Sequence, residues 1–335
     1  MLVVQHGAGL AQFPGMKRAS VPEGRYNQYI RNREEEVATG IDTLLGRAED
    51  TKRPLLCLEI NPPRGTDVQV VLDRYAGLRG VDFANVTDSA LAKMKLSGLV
   101  FGALFKQRYG IEPVVNVACR DRNVIALQAD LLGAWALGVR SIVALTGDAV
   151  TVGDLPDAKG VFEVNSIGLL NIISTLNNGK DLAGGELKGR TSFVPGVVVN
   201  PNARNRDAEI RRLTRKREAG GVYSLSQPVF DVEQAVAFFE AAANTGVDNF
   251  VGLLPCKTAR AFEGIAKIPG IKVPESLLEK MRGLSDADVA ALSMDVACEI
   301  AERVKPYVRG FHVISGGSPL LAVDLCNRLA DWIGK

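Results

Sequence analysis

Histidine is nearly absent from this chain: two occur in 335 residues, and the five cysteines, Cys57, Cys119, Cys256, Cys298 and Cys326, are widely spaced with no Cys-x-x-Cys pair. A zinc centre and a disulfide framework are therefore not expected, and free thiols point to a reducing, cytoplasmic setting. No apolar run approaches the roughly 18 residues that a membrane-spanning helix needs, so no membrane partner is expected. The Met1-Leu2-Val3-Val4 start has neither the basic leader nor the long apolar core of a signal peptide. An excess of one charge is missing too: 40 basic against 38 acidic residues leave a net charge of +2, with no footprint for nucleic acid. What is present, 47% hydrophobic and 23% charged residues, is ordinary for a globular enzyme acting on a small molecule.

Eight strand-like apolar runs recur, at residues 54–61, 81–86, 113–117, 141–146, 193–199, 222–227, 249–254 and 310–314. Stretches with helical spacing lie between them, at 68–78, 122–137, 167–176, 208–218, 232–245 and 286–307. Gly138, Gly220 and Gly246 each stop a helix just before the next strand, as left-handed caps do. Apolar strands alternating with helices indicate a parallel sheet buried on both faces, and eight such units predict an α/β fold, a closed (β/α)8 TIM barrel over residues 51–335. An open doubly wound sheet is the alternative. Residues 1–50 read as an N-terminal extension with a charged helix between Tyr26 and Leu45, either a surface helix or a homo-oligomer contact.

The sharpest chemical signal is Leu58-Glu59-Ile60-Asn61-Pro62-Pro63-Arg64, a lone carboxylate near the end of an apolar strand that two prolines terminate. An unpaired carboxylate in such a setting is disfavoured as an anion, so Glu59 is the leading general-acid candidate. A structural role, paired with a core arginine or hydrogen-bonded at the strand end, is the competing reading. Barrel chemistry collects where strands end, which adds Asn85 and Thr87, Asn116, Thr146-Gly147-Asp148, Asn200, and Ser226-Gln227 to the candidates. Gly147 permits a sharp turn or close approach of a ring, and Asp148 supplies a carboxylate for the N–H groups of a heterocycle.

In order and spacing these motifs resemble the methylenetetrahydrofolate reductase family over about residues 54–320. Residues 58–64 are similar to that family's first-strand Glu, two residues, Pro-Pro-Arg motif; Asn85-Val86-Thr87 to its Val-Thr; Ala144-Leu145-Thr146-Gly147-Asp148 to its Ala-Leu-Arg-Gly-Asp; and Ser226-Gln227-Pro228-Val229-Phe230-Asp231 to its Thr-Gln-Phe-Phe-Phe-Asp. The resemblance implies interconversion of 5,10-methylenetetrahydrofolate and 5-methyltetrahydrofolate with NADH or NADPH, through bound FAD, with FMN or no flavin as variants. By resemblance Glu59 and Asp148 are catalytic, and Asp148 and Gln227 contact the folate. Thr87, Asn116, Thr146, Gly147, Asp148, Asn200, Arg215 and Lys216 surround the cofactor, with Arg215-Lys216 at the flavin diphosphate. A non-redox folate-binding subunit of a methyltransferase system is the reading from another class.

The chain also departs from the family pattern. Asn116 stands where flavin-binding relatives carry His, Thr146 replaces the Arg before Gly-Asp, Asn200 replaces a fifth-strand His, and Ile314-Ser315-Gly316-Gly317-Ser318 lacks the usual Leu-Asn-Arg. His312 reads as a satisfied core histidine. Cys256 lacks a neighbouring base, Lys257 lies beyond its strand where a Schiff base would not form, and Gly184-Gly185 reads as a plain surface turn.

Overall fold

The computed structural model of the protein describes residues 53–334. Eight strands, β1 (Leu55–Ile60), β2 (Phe83–Val86), β3 (Glu112–Ala118), β4 (Ser141–Leu145), β5 (Val194–Val199), β6 (Tyr223–Pro228), β7 (Asp248–Leu253) and β8 (Gly310–Val313), occupy the eight apolar runs. They pair in parallel in chain order, and the register Leu58↔Val313 between β1 and β8 closes the barrel, which removes the open-sheet alternative. The helices are α1 (Val68–Asp73), α2 (Gly98–Tyr109), α3 (Val124–Ala136), α4 (Ser166–Asn177), α5 (Arg206–Glu218), α6 (Val232–Ala242), α7 (Ala259–Ala266), α8 (Glu275–Met281), α9 (Asp286–Val304) and α10 (Pro319–Ile333). The expected N-terminal helix lies outside the described residues.

Alternation along each strand separates two apolar layers. Leu56, Leu58 and Ile60 of β1 face outward and join the helices in the main core, whereas Leu55 and Cys57 face the barrel interior. There they meet Phe83, Val114, Val143, Val194, Tyr223, Leu225 and Phe250, which plug the lower barrel. The Tyr223 hydroxyl shares a 2.8 Å hydrogen bond with Ser141, and its ring meets Phe250 edge-on at 6.2 Å. A side chain at Gly196 would overlap the Tyr223 ring, so that position admits only glycine.

Helix α2, which the spacing of the sequence did not announce, lies close on β2 and β3. A Cβ at Gly98 would stand 2.8 Å from the Thr87 carbonyl oxygen, and one at Gly102 3.0 Å from Val115. The two glycines that lower helix propensity are thus the ones that let the helix approach the strands. The stretch 68–78 is helical only to Asp73; Arg74 to Gly77 continue as turns.

Among the described residues, no helix is long and apolar enough to cross a membrane. Nor does any group of three or more His, Cys, Asp or Glu side chains among them converge as metal ligands.

Candidate active site

At the C-terminal end of the strands the interior opens into a cavity of about 950 Å³ whose wall includes Glu59, Thr87, Asn116, Thr146, Gly147, Asp148 and Gln227. Seven expected site residues from five strand ends are thereby brought together. The alternation that sends Cys57 inward also sends Glu59 inward, two residues nearer the mouth. Glu59 is partly open to the cavity, and loss of bulk water pushes its carboxyl from the ordinary 4.5 up to about 7, against the opposing effect of hydrogen bonds from Asn61 and Ser315. No arginine or lysine pairs with it among the described residues, so the structural reading of a core ion pair fails. A carboxyl that titrates near neutrality in a large cavity can hold a proton and release it to a bound molecule.

Three neighbours hold Glu59 in place. Asn61 directs its amide Nδ2 to Glu59 Oε1 at 3.4 Å and to Ser315 Oγ at 2.8 Å, and its Oδ1 accepts the Thr87 hydroxyl at 2.8 Å. Thr87 is thus tied into the carboxylate's support as well as facing the cavity. On the neighbouring wall Asn85 Nδ2 donates to Asn116 Oδ1 at 2.7 Å and to the Val114 carbonyl at 3.2 Å. That fixes Asn116 with its oxygen occupied.

Asp148 stands on the loop after β4. Gly147 before it has φ +95°, and a Cβ there would come within 2.9 Å of Arg120 Cβ, so this turn requires glycine. Asp148 is exposed at the mouth, where its Oδ2 accepts the Leu91 N–H at 2.7 Å. Leu91 lies in the loop after β2, where Ser89, Leu91 and Ala92 all adopt positive φ. Asp154 reinforces the same strap by accepting the Met94 N–H at 3.2 Å and pairing with Arg64 at 3.3 Å. Gln227 reaches the cavity because β6 bulges between Leu225 and Pro228, with Ser226 Oγ accepting the Gly252 N–H at 2.8 Å.

A second cavity of about 430 Å³ adjoins the first along Leu145, Thr146, Val198, Gln227 and Pro269, and takes in Asn200, Arg215 and Lys216. Arg215 is exposed, whereas Lys216 is buried and donates to the Val198 carbonyl at 2.6 Å; burial lowers the pKa of that ammonium. Arg212 lines the same cavity and pairs with Glu209 at 3.5 Å. Thr146 Oγ1 accepts the Ser166 N–H at 3.1 Å, and Asn165 Oδ1 accepts those of Ile167 and Gly168, so the first turn of α4 is already capped. Asn200 turns inward on itself: its Oδ1 accepts the Asn202 N–H at 2.9 Å, and its own N–H goes to Glu209 at 3.0 Å.

Sequence reasoning did not assign roles to Asn61, Ser315 or Arg120. Arg120 lines the main cavity with its side chain 3% exposed, paired with Asp121 at 2.7 Å and donating to the Ser89 carbonyl. The polar Asn61 inside an otherwise apolar strand end was a usable signal; Ser315, on the far side of the closure, was not. His312 differs from its expected state. It is buried on the cavity floor, neither ring nitrogen makes a hydrogen bond, and desolvation holds the imidazole neutral with a pKa of about 4. Cys256 is buried with its thiol pushed up to about 12, which leaves it inert as a nucleophile.

The family model for methylenetetrahydrofolate reductase matches residues 44–316. The 5,10-methylenetetrahydrofolate reductase of Pectobacterium carotovorum subsp. carotovorum is 26% identical over 292 residues, covering 84% of this chain and 92% of that protein. That of Escherichia coli K12 is 25% identical over 282 residues, covering 81% and 89%. Among solved structures, a Clostridium thermocellum protein described as binding two copies of 5-methyl-5,6,7,8-tetrahydrofolic acid superposes with a TM-score of 0.64 at 16% identity, over 86% of this chain and 99% of that one. With more than half of its length matched by the family model and the motif order carried on eight closed strands, the chain belongs to the methylenetetrahydrofolate reductase family.

Proposed function

We propose that the protein reduces 5,10-methylenetetrahydrofolate to 5-methyltetrahydrofolate, with NADH or NADPH as the source of hydride and a flavin, FAD, as its intermediate carrier. The observation that carries this reading is Glu59, an unpaired carboxyl with a pKa of about 7 on the wall of a 950 Å³ cavity. The methylene carbon bridges N5 and N10 of the folate. Opening the bridge breaks the C–N10 bond, and N10 must receive a proton as it leaves. Glu59 supplies that proton, and the carbon, left as an iminium on N5, accepts hydride to become methyl. Asp148 at the mouth places a negative charge where it lowers the energy of the iminium. Gln227, aimed inward by the β6 bulge, offers both a donor and an acceptor to the edge of the pterin. Cavity walls of Leu145, Val198, Leu225 and Leu254 exclude water from the reacting ring faces.

The second cavity fits the phosphate end of a flavin through its cationic rim, where the exposed Arg215 is available, Arg212 is shared with Glu209, and the capped turn of α4 is not available. A flavin held there by Arg215 would supply hydride-carrying chemistry between the nicotinamide and the folate carbon. The committed Lys216 and the inward-turned Asn200 favour a second reading, direct transfer from the nicotinamide to the folate without flavin.

The visible absorption spectrum of the purified protein, before and after addition of FAD or FMN, tests the choice. A flavin band bleached by NAD(P)H and restored by 5,10-methylenetetrahydrofolate is the expected result. Turnover by a protein that binds no flavin would establish direct transfer. Folate binding with no turnover under any donor would leave a non-redox folate-binding subunit.

A further inference from the structure

Asn61 sits between the catalytic carboxyl and two hydroxyls that come from the ends of β2 and β8, the strands on either side of β1. Its nitrogen side meets Glu59 Oε1 at 3.4 Å and Ser315 Oγ at 2.8 Å, and its oxygen side accepts the Thr87 hydroxyl at 2.8 Å. Thr87 and Ser315 are both buried, so neither can exchange its partner for bulk water without cost. An amide can otherwise turn over and present its oxygen to a protonated carboxyl. In that flipped state Glu59 would donate its proton to Asn61 and have none for the substrate.

Resting on the reading of Glu59 as the acid, we infer that Asn61 is a positioning residue. Locked by Thr87, it keeps an N–H on Glu59 Oε1 and so leaves the proton to Oε2 for transfer to the substrate. The N–H also stabilises the anion formed once the proton has left, in the same direction as the Asn61 effect on the Glu59 titration. Ser315 is the other group that favours the Glu59 anion, each of its hydrogen bonds counting for less than that of Asn61. Cys57 on β1 and Tyr75 beyond α1 are raised above their ordinary ranges by burial and His312 on β8 is lowered, so all three stay neutral between about pH 5 and about pH 9. Of the charged groups on the cavity wall, Arg64 pairs with Asp154, Asp88 with Arg122 and Arg120 with Asp121, Asp148 accepts the Leu91 N–H and Asp67 caps α1, while Arg74 is exposed and Lys95 half-buried at the rim.

The test follows the ¹³C resonance of the Glu59 carboxyl, identified by its loss in Glu59→Gln, through a pH titration of the full chain alongside the pH profile of 5,10-methylenetetrahydrofolate reduction. Asn61→Ala removes the donor and is expected to raise the Glu59 titration by about one pH unit. The limb on which turnover falls with rising pH should move up by the same amount, because the acid works in its protonated form. Thr87→Val is the sharper variant, since Thr87 makes no hydrogen bond to Glu59 and reaches it only through Asn61. An upward shift of about half a unit is expected, reversed in Thr87→Ser. An unmoved carboxyl titration in both Asn61→Ala and Thr87→Val overturns the inference whatever the activity. A shifted titration in a protein that never turns over the folate supports the hold of Asn61 on Glu59 and defeats the functional reading instead.

Discussion

The two halves of the barrel interior are built on the same strands and have opposite chemistry. On β1 the inward residues run Leu55, Cys57, Glu59; on β2 Phe83, Asn85; on β3 Val114, Asn116. One two-residue step along each strand replaces a packed apolar plug with a polar wall. In the lower half the Ser141 hydroxyl has partners in Tyr223 and the Val194 carbonyl, and the aromatic rings interlock. In the upper half Glu59 carries no counter-charge and His312 no hydrogen bond, a cost the fold accepts there. The difference teaches that rigidity and reactivity are separated by about 7 Å along these three strands.

Glu59→Gln should break the upper half most severely. Folate reduction should fall by about 10²- to 10⁴-fold, read as kcat, while reduction of any bound flavin by NAD(P)H survives. The same variant should gain stability above neutral pH. A carboxyl whose folded pKa is raised from 4.5 to about 7 contributes stability that is fully present below about pH 4 and lost as pH rises through 7, so the wild type weakens there and the glutamine variant does not. Denaturant unfolding at pH 5 and pH 8 checks the sign, with a difference of about 2 to 3 kcal/mol.

Phe250→Ala should break the lower half instead, costing about 3 to 5 kcal/mol of stability with kcat per folded molecule changed far less, as unfolding and active-site titration together would show. Asp148→Asn keeps an acceptor for the Leu91 N–H but removes the charge. A loss of about 10- to 100-fold in kcat/KM for the folate is expected, with the melting temperature held. Arg215→Ala, on an exposed cation, should weaken flavin affinity by about tenfold and leave stability unchanged. Tyr223→Phe gives the smallest effect, about 1 kcal/mol of stability, because Ser141 keeps its bond to the Val194 carbonyl.

Much of this division was legible before the fold was known. Runs such as 54–61 and 193–199 carry the strands because two-face burial demands continuous apolar sequence, and Glu59 stood out because Pro62-Pro63 placed it at a strand end. What could not be read are contacts that the closure makes. Asn61 meets Ser315 across 254 residues of sequence, and Leu91 meets Asp148 only because the loops after β2 and β4 fold together over the mouth. Thr146 lines both cavities, and its hydroxyl also accepts the Ser166 N–H at the start of α4, a bond that depends on where the intervening loop returns. The missing partner of His312 was equally hidden, since whether a core histidine finds one is decided by strands far from it in sequence.

The most direct test of the account is NAD(P)H-dependent conversion of 5,10-methylenetetrahydrofolate to 5-methyltetrahydrofolate, measured by product analysis for the wild type and Glu59→Gln at pH 7. Product from the wild type and its near-complete loss in the variant are predicted. Equal product from both, or none from a folded wild type supplied with flavin and either nicotinamide donor, would contradict it.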